Sequence, residues 1–309
     1  MKALTASSYG PVEQLTITDV PRPVPAAGQV LIKVRAAALN ALDIRLTTGE
    51  FREQMPIEHP FHPGLDAAGT VEAVGEGVTR FAVGDEVVAF TYPHFGTVAE
   101  YALAADGPNL LRRPPALPPE AAAALPQAAM TAAAAHDAAQ LKPGQSVLVI
   151  GAPGGVGSYL LQLATRSGAE VLATGKPEDE EYLRRLGAVA TIDYTSREVA
   201  EEARRLRPAG VDVVVDLVNA GPGLAATAAA AKDGGLLVST LGGPPRFERE
   251  VTAAYVGVEQ GIGQLEELVR RTAEGELEVR VDLHPFTRAV EAAQQFAGAH
   301  SRGKLVIGF

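Results

Sequence analysis

The chain has 309 residues, a formal net charge of −10, 47% hydrophobic residues and no Cys. That length predicts two domains with ample cores, and an acidic balance without a basic cluster argues against nucleic acid or an anionic membrane surface as a partner. Without Cys there is no disulfide and no thiolate metal ligand, which fits the reducing cytoplasm where we expect the protein to work.

Residues 1–110 carry short β-type runs that Gly and Pro separate, and they begin without a visible signal peptide. Strands are predicted at 14–20, 29–40, 69–75 and 85–90. Their spacing indicates a small antiparallel, barrel-like domain. A Pro-rich hinge at 112–120 leads into an Ala-rich segment. That segment is not a membrane span, because Ala is a poor substitute for Leu in lipid and a Pro-Gln pair interrupts it.

From about residue 122, helices alternate with apolar strands. This alternation predicts a doubly wound parallel sheet. The predicted strands lie at 147–150, 170–174, 189–193, 211–218, 235–242 and 252–259. A helix at 263–275 follows, and the tail from Leu277 holds a short strand, a helix at 286–300 and a strand at 304–309. We expect the tail to return to the first domain, so the predicted domains are 1–121, 122–276 and a returning segment at 277–309.

Residues 146–164 are the most informative stretch, because they read as a buried strand, a glycine-rich turn and a helix. The strand is a continuous apolar run, as expected of a parallel strand buried on both faces. The glycines permit a sharp turn, close approach of a ligand and tight helix packing, and the helix N-terminus suits a pyrophosphate. We therefore predict a dinucleotide site. Its residues are Gly151, Pro153, Gly154, Gly155 and Val156.

The end of the second strand of this sheet indicates which dinucleotide binds. NAD sites carry an acidic residue there for the ribose hydroxyls. This strand ends instead in Thr174, Gly175 and Lys176, which places a Lys where a 2′-phosphate would lie and predicts NADPH. We interpret Glu178 as an acid of the next helix start rather than a ribose ligand. Tyr194 either covers the phosphate or adenine or is a half-buried aromatic at a strand end.

With these motifs in view, nearly the whole chain resembles the medium-chain dehydrogenase/reductase superfamily. The most specific matches are residues 63–90, 141–157 and 302–309. Within the superfamily the chain looks like the zinc-free quinone oxidoreductases and enone reductases. The resemblance implies an α/β fold, with a GroES-like β-rich catalytic domain, a Rossmann-type domain and an active site in the cleft between them. It also implies NADPH as cofactor and, because many members are homodimers or homotetramers, we expect a homodimer.

The positions at which zinc-dependent members hold their catalytic metal are changed in this chain. Their Gly-His-Glu motif reads Gly-Leu-Asp at 64–66, residues 40–43 contain no Cys, and the four-Cys structural lobe is absent. A catalytic zinc needs three protein ligands, so we predict no metal. His59 and His62, near Asp66, are the residues of the alternative, a different metal site.

The catalytic candidates follow from the same resemblance. The hydride belongs to the cofactor, and the protein must stabilise the oxyanion left on the substrate. The enone-reductase pattern Asn-x-x-Asp-x-Lys reads Asn-Ala-Leu-Asp-Ile-Arg over residues 40–45. It implies that Arg45 faces the oxyanion, that Asn40 lies near the nicotinamide and that Asp43 orients Arg45. The alternative is an Asp43–Arg45 surface pair of little energetic weight.

Further residues match family positions around the nicotinamide. Tyr92 and His94 lie in a loop over it, and each is either a pocket wall or a proton donor. Thr131 touches the nicotinamide side, and Ala follows where the family carries an aromatic residue, which suggests a roomier or differently shaped pocket. The other matching positions are Leu241, Gly242, Arg302 and Lys304.

The sequence thus predicts a reductase that uses NADPH on a small-molecule electrophile, a quinone or an α,β-unsaturated carbonyl. Two alternatives stay open. One is a pathway-specific enoyl reductase with a carrier-bound or polyketide substrate. The other is a nucleotide-binding protein with little turnover, which a panel of quinones and enones would distinguish by steady NADPH oxidation.

Overall fold

The computed structural model describes residues 1–244, 246–298 and 301–309. The chain forms two compact units. The first comprises Met1–Gln127 and Gly263–Phe309, and the second comprises Ala128–Ile262. The predicted helix at 263–275 therefore belongs to the first unit, although we expected it beside the nucleotide-binding sheet.

The first unit is rich in strands. Its strands are β1 (Lys2–Thr5), β2 (Thr16–Asp19), β3 (Gln29–Ala38), β4 (Asp66–Val74), β5 (Glu86–Phe90), β6 (Tyr101–Ala105), β7 (Leu110–Arg112), β14 (Val281–Pro285) and β15 (Lys304–Gly308). Strands β1 and β2 form a hairpin pair, and the others form a seven-stranded sheet in the order β14-β15-β3-β4-β5-β7, with β6 also paired to β3. Its helices are α1 (Ala41–Thr48), α2 (Pro119–Ala123), α8 (Leu265–Ala273) and α9 (Ala289–Gly298).

Strand β3 organises this sheet. Lys33 and Arg35 are exposed while Ile32 and Val34 are buried, the alternation expected of a strand with one wet face. The last strand, β15, runs antiparallel to β3 and parallel to β14. Because of this pairing, residues from near both ends of the sequence meet where β3 gives way to α1.

The second unit is a six-stranded parallel sheet with helices. Its strands are β8 (Ser146–Ile150), β9 (Glu170–Gly175), β10 (Ala190–Asp193), β11 (Val211–Asp216), β12 (Ala231–Ser239) and β13 (Thr252–Tyr255), and its helices are α4 (Gly155–Arg166), α5 (Glu180–Leu186), α6 (Val199–Leu206) and α7 (Gly221–Ala228). Helix α3 (Pro126–Ala139) leads into it from the first unit. None of the described helices has the length and hydrophobicity that crossing a bilayer demands.

The strand order β10-β9-β8-β11-β12-β13 is that of a doubly wound sheet, with its reversal between β8 and β11. Ligands of such sheets bind outside the carboxyl ends of the strands at that reversal. Strand β8 is fully buried, as its apolar run predicts. The glycine-rich turn that follows β8 therefore lies at the position where this topology creates a crevice.

Several predicted elements differ from the structure at their ends, among them three in the C-terminal part of the chain. The strand predicted at 252–259 stops at Tyr255, and a 3₁₀ turn, Val258–Gly261, replaces its second half. The helix predicted at 286–300 begins with a 3₁₀ turn, and its last two residues lie outside the described residues. The short strand expected from Leu277 is β14, which begins at Val281.

Gly157 tests the packing of the glycine turn. An added Cβ would lie 2.1 Å from the carbonyl oxygen of Gly151, so backbone atoms would have to move. We expect Gly157→Ala to lower the free energy of unfolding by about 1–3 kcal/mol, the usual cost of overpacking. Chemical denaturation measures it. The control is Gly107→Ala, whose added Cβ meets no other described residue within 4 Å. Equal stability of both variants would contradict the prediction.

Candidate functional site

The glycine turn of the second unit has the geometry of a ligand cradle. Gly151 adopts a φ of +83°, a conformation that Gly reaches without steric cost, and its N–H donates to Thr174 Oγ1 at 3.1 Å. Gly154 is the N-cap of α4, whose first N–H groups have no partner within the helix. These donors and the positive end of the helix dipole form a site that suits an anion.

The walls of the turn come from neighbouring strand ends. Pro153 is buried, while Gly155 and Val156 begin α4 and are partly exposed. Val218, which follows β11, is 57% exposed and would lie 2.6 Å from a Cβ added at Gly151. This apolar neighbour could not be predicted from the sequence, because nothing in the pattern marks which loop faces the turn.

Lys176 directly follows the last residue of β9, Gly175. Gly175 is buried and closely packed. A Cβ added there would lie 2.7 Å from Leu183 Cδ1. Asp179 is also buried, and its carboxylate accepts the backbone N–H of Lys176 at 2.8 Å. The Lys176 ammonium has no ion-pair partner within the described part of the chain, unlike Arg184 and other nearby cations.

A cavity of about 270 Å³ opens beside Lys176. Its polar lining includes Arg184, Thr191, Asp193 and Arg197. Glu178 lies in the first turn of the 3₁₀ segment Pro177–Asp179, as expected for an acid at a helix start. Tyr194, directly after β10, is 41% exposed, and partial burial together with the Asp179 and Glu178 carboxylates raises the pKa of its hydroxyl.

The first unit holds a buried polar cluster at the junction of β3 and α1. The Lys304 ammonium donates to the Leu39 carbonyl at 2.9 Å and to Asn40 Oδ1 at 2.5 Å, and it lies 3.8 Å from Asp66 Oδ2. Asn40 Nδ2 donates to Asp66 Oδ2 at 3.0 Å. The other Asp66 oxygen accepts the backbone N–H of Gln127 at 3.1 Å. Asn40, Asp66 and Lys304 are therefore one hydrogen-bonded group.

Asp43 completes this cluster, because its carboxylate accepts hydrogen bonds from backbone N–H groups. Its two carboxylate oxygens accept the N–H of Asn40 and the N–H of Gly64, each at 2.8 Å. Burial raises the pKa of Asp43 to about 6, against the lowering effect of those two hydrogen bonds. Burial also raises the pKa of Asp66 and lowers that of Lys304, although each partner's charge partly opposes the shift.

The expectation that Asp43 orients Arg45 is wrong. Residues two apart on a helix point in different directions, and Asp43 is directed inward while Arg45 lies towards solvent. The guanidinium lies 3.6 Å from Glu50 Oε1 and 5.3 Å from the centre of the Phe51 ring. The alternative, a surface pair between Asp43 and Arg45, is wrong for the same reason.

Tyr92 and His94 lie in an aromatic loop of the first unit. Tyr92 is 41% exposed, and its ring lies 6.2 Å from both the Phe90 and the Phe95 rings. His94 Nε2 lies 3.4 Å from Gln29 Nε2. The structure fixes Tyr92 by ring contacts on two sides, and whether it forms a wall or donates a proton stays a prediction.

The remaining predicted residues are distributed over both units. Thr131 is buried within α3, and the backbone N–H of Leu241 donates to Ser239 Oγ at 3.0 Å. Gly242 is exposed, and its carbonyl accepts the N–H of Gly221 at the start of α7. Arg302 is partly exposed, two residues before the buried Lys304. Their contacts with a cofactor stay predictions.

The two histidines of the alternative metal site have other partners. His62 Nδ1 lies 3.2 Å from the Leu4 carbonyl, and His59 Nδ1 lies 3.3 Å from the Ala6 carbonyl. Asp66 is held by the buried cluster instead. Among residues 1–244, 246–298 and 301–309, no three His, Asp or Glu side chains form a group that could hold a metal ion.

From the sequence, Asp66 has no predicted role beyond a changed metal position. One signal could have found it, since a single carboxylate interrupts the apolar run at 63–69 and a buried charge needs a partner. Its partner, Lys304, lies far away in the sequence and could not be paired with it from the pattern. The structure therefore adds Asp66 to the predicted residues Asn40, Asp43 and Lys304.

A strand-rich unit with a buried polar cluster and a doubly wound unit with a glycine cradle define a nucleotide-dependent oxidoreductase. Two family profiles match the chain, the alcohol dehydrogenase GroES-like domain over residues 26–114 and zinc-binding dehydrogenase over 186–307. The chain belongs to the medium-chain dehydrogenase/reductase superfamily, among the quinone and alkenal/one oxidoreductases. The predicted fold class is thereby confirmed.

Three comparisons define this relationship. The chain is 32% identical to the chloroplast envelope quinone oxidoreductase homolog of Arabidopsis thaliana, over 99% of this chain and 98% of that protein. It is 34% identical to the chloroplastic NADPH-dependent alkenal/one oxidoreductase of the same plant, over 99% and 79%. A mycobacterial protein solved in complex with NADPH matches all of both chains, with a TM-score of 0.88 and 28% identity.

The raised pKa of Asp43 predicts how stability depends on pH. Its folded pKa of about 6 lies above the ordinary 3.8, so Asp43 favours folding at low pH and loses this contribution as the pH rises through 6. Between pH 4.5 and 7, the wild type should lose about 2 kcal/mol of unfolding free energy relative to Asp43→Asn.

Denaturant titrations of both proteins across this pH range measure that difference. The control is Asp233→Asn, at an exposed position. A wild-type advantage over Asp43→Asn that stays constant or grows with pH would contradict the prediction.

Proposed function

We propose that the chain is an NADPH-dependent reductase that transfers a hydride to a quinone or to the C=C bond of an α,β-unsaturated carbonyl, without a metal ion. Its relatives support this reaction, because one is named a quinone oxidoreductase homolog and another an NADPH-dependent alkenal/one oxidoreductase. The observation that carries the cofactor assignment is the Lys176 ammonium, which lacks an ion-pair partner among the described residues.

The residues of the second unit fit a dinucleotide. Side chains at Gly151 and Gly157 would fill the space around the turn, and the start of α4 offers backbone N–H groups and a positive dipole to a pyrophosphate. When NADPH is bound there, it supplies the hydride. Thr174, through its hydrogen bond to Gly151, holds the turn against the end of β9.

The preference for a phosphorylated adenosine ribose follows from the charges after β9. Lys176 offers a cation. The nearby Asp179 is buried, and its carboxylate already accepts the backbone N–H of Lys176. An acid that could accept both ribose hydroxyls is absent from the strand end at 174–176. Tyr194, whose hydroxyl pKa is raised by partial burial and by the Asp179 carboxylate, is the residue we assign beside the phosphate.

Arg45 is our candidate for stabilising the substrate oxyanion. Its only ion pair within the described chain is with Glu50, whose side chain is 57% exposed, and such solvent-screened pairs contribute little. The Phe51 ring supports the guanidinium by a cation–π contact. Arg45 can therefore exchange Glu50 for a developing negative charge at small cost.

The finer expectations of the sequence analysis remain part of this proposal. We propose a small-molecule substrate, a homodimer and a cytoplasmic location, the last supported by the absence of Cys. The domains are proposed at 1–121 with the returning segment 277–309, and at 122–276, except that the compact units of the structure place 122–127 and 263–276 with the first domain.

The cofactor assignment predicts a selective loss in Lys176→Ala. A charge-assisted hydrogen bond to phosphate contributes about 1.5–3 kcal/mol, so NADPH affinity should fall roughly 10- to 100-fold, while NADH affinity stays nearly unchanged. Titration of nicotinamide fluorescence measures both constants. Lys142→Ala, at an exposed position of the same unit, is the matched control. Equal losses for both coenzymes would remove the phosphate role from Lys176.

The oxyanion role predicts a loss of turnover in Arg45→Ala. With quinones and enones as acceptors, kcat should fall at least about 10-fold, because a charge in the transition state loses its partner, while NADPH affinity changes little. Glu50→Gln removes the ion pair but keeps the guanidinium, and it should retain turnover. If Glu50→Gln loses as much activity as Arg45→Ala, the pair is structural.

A further inference from the structure

Asn40 breaks a local rule of helix capping. It occupies the N-cap position of α1, where an Asn side chain normally accepts a backbone N–H of the first turn. Its carboxamide makes no such bond and turns to Asp66 and Lys304. Asp43 binds the Asn40 N–H from the other direction. The helix start therefore lacks a stabilising side-chain bond, which indicates that the carboxamide is held for another purpose.

The two partners fix the carboxamide in one orientation. Lys304 carries only donors and contacts Oδ1, whereas the Asp66 carboxylate carries only acceptors and contacts Nδ2. A rotation of the amide by 180° would place N–H against an ammonium and C=O against a carboxylate. A pair of neutral side chains would not discriminate between the two orientations, because hydroxyls and amides both donate and accept.

One N–H of the amide is left over. Nδ2 has two hydrogens, and in the described chain its single acceptor is Asp66 Oδ2. Asn40 is 95% buried, since only 5% of its surface is exposed, and a buried N–H without an acceptor costs free energy. This hydrogen can be satisfied by an oxygen that enters with a ligand.

Stability alone does not account for the group. Three buried ionisable residues, Asp43, Asp66 and Lys304, lie around one amide. Apolar residues of similar volume often stabilise a fold as well as a buried ion pair does. What the ion pair adds is direction, because it determines which side of the amide faces each neighbour.

We propose that Lys304 and Asp66 are positioning residues, which lock the Asn40 amide so that its second N–H donates to a carbonyl oxygen of the bound reactants. This inference rests on the proposed reductase function. The carbonyl is either the nicotinamide carboxamide or the substrate carbonyl that becomes the oxyanion. Lys304 thus acts through Asn40, and its ammonium is committed to protein atoms rather than to the cofactor phosphates.

The test uses the full chain and four variants. Lys304→Met removes the cation. Asp66→Asn/Lys304→Met removes both charges of the pair, so that neither residue leaves an uncompensated charge buried. The new amide at position 66 can both donate and accept, so it can bond the Asn40 amide in either orientation. Asn40→Ala removes the donor, and Asn40→Ala/Lys304→Met closes a cycle. Lys232→Met, which breaks a 2.7 Å ion pair with Asp212, is the control. Each protein is measured for unfolding midpoint, NADPH dissociation constant, kcat and acceptor KM.

We expect Lys304→Met, Asn40→Ala and the charge-neutral double variant each to lose at least 10-fold in one constant. A loss in NADPH affinity assigns the N–H to the nicotinamide carboxamide. A loss in kcat or acceptor KM with unchanged NADPH affinity assigns it to the substrate. The charge-neutral variant Asp66→Asn/Lys304→Met should unfold near the wild-type midpoint and still show the loss. Adding Lys304→Met to Asn40→Ala should cause no further loss.

Two results would overturn the inference. One is full activity in the charge-neutral double variant, which would mean that Lys304 and Asp66 only balance each other. The other is a loss in Asn40→Ala/Lys304→Met that equals the product of the losses in the two single variants, because the two residues would then act independently. A wild type that neither binds NADPH nor oxidises it with any acceptor contradicts the proposed function itself, and that outcome is separate because it appears before any variant is compared.

Discussion

The ion pair between Lys304 and Asp66 is the interaction on which the first unit depends. Asp66 begins β4, Lys304 begins β15, and both meet the Asn40 side chain at the end of β3. Removing one partner would leave an uncompensated charge in the core, which typically costs several kcal/mol. The ion pair therefore links the ends of β3, β4 and β15 to the position of the Asn40 amide. The Asn40 side chain reaches this position only when the three strands are paired.

The two lysines of the candidate site show how the same residue type serves opposite purposes. The Lys304 ammonium is buried and bonded to the Leu39 carbonyl and the Asn40 amide. The Lys176 ammonium has no such partner in the described structure and borders an open cavity. A saturated cation fixes other groups, whereas an unsaturated one is available to a phosphate.

The sequence predicts the second unit well because its signals are local. The apolar strand at 147–150, the glycines after it and the lysine after β9 are each read within a few residues. The structure places the strand and its glycine turn at the reversal of the sheet, and Lys176 follows the neighbouring strand β9. Asp43 was misread for a complementary reason. Its neighbour in sequence, Arg45, suggested a pair, but the helix turned Asp43 towards the Gly64 N–H. The group formed by Lys304, Asp66 and Asn40 arises from sheet pairing, which no spacing pattern contains.

The distance along the chain between Asn40 and Lys304 has a consequence for biosynthesis. The two residues are separated by 264 positions, so the entire second unit is translated between them. A ribosome-bound intermediate that has released only the first hundred residues holds Asp66 and Asn40 without their cation. Such an intermediate cannot bury these groups favourably, because an isolated charge resists transfer from water. The second unit, one continuous segment from Ala128 to Ile262, contains neither residue and can fold before Lys304 is translated.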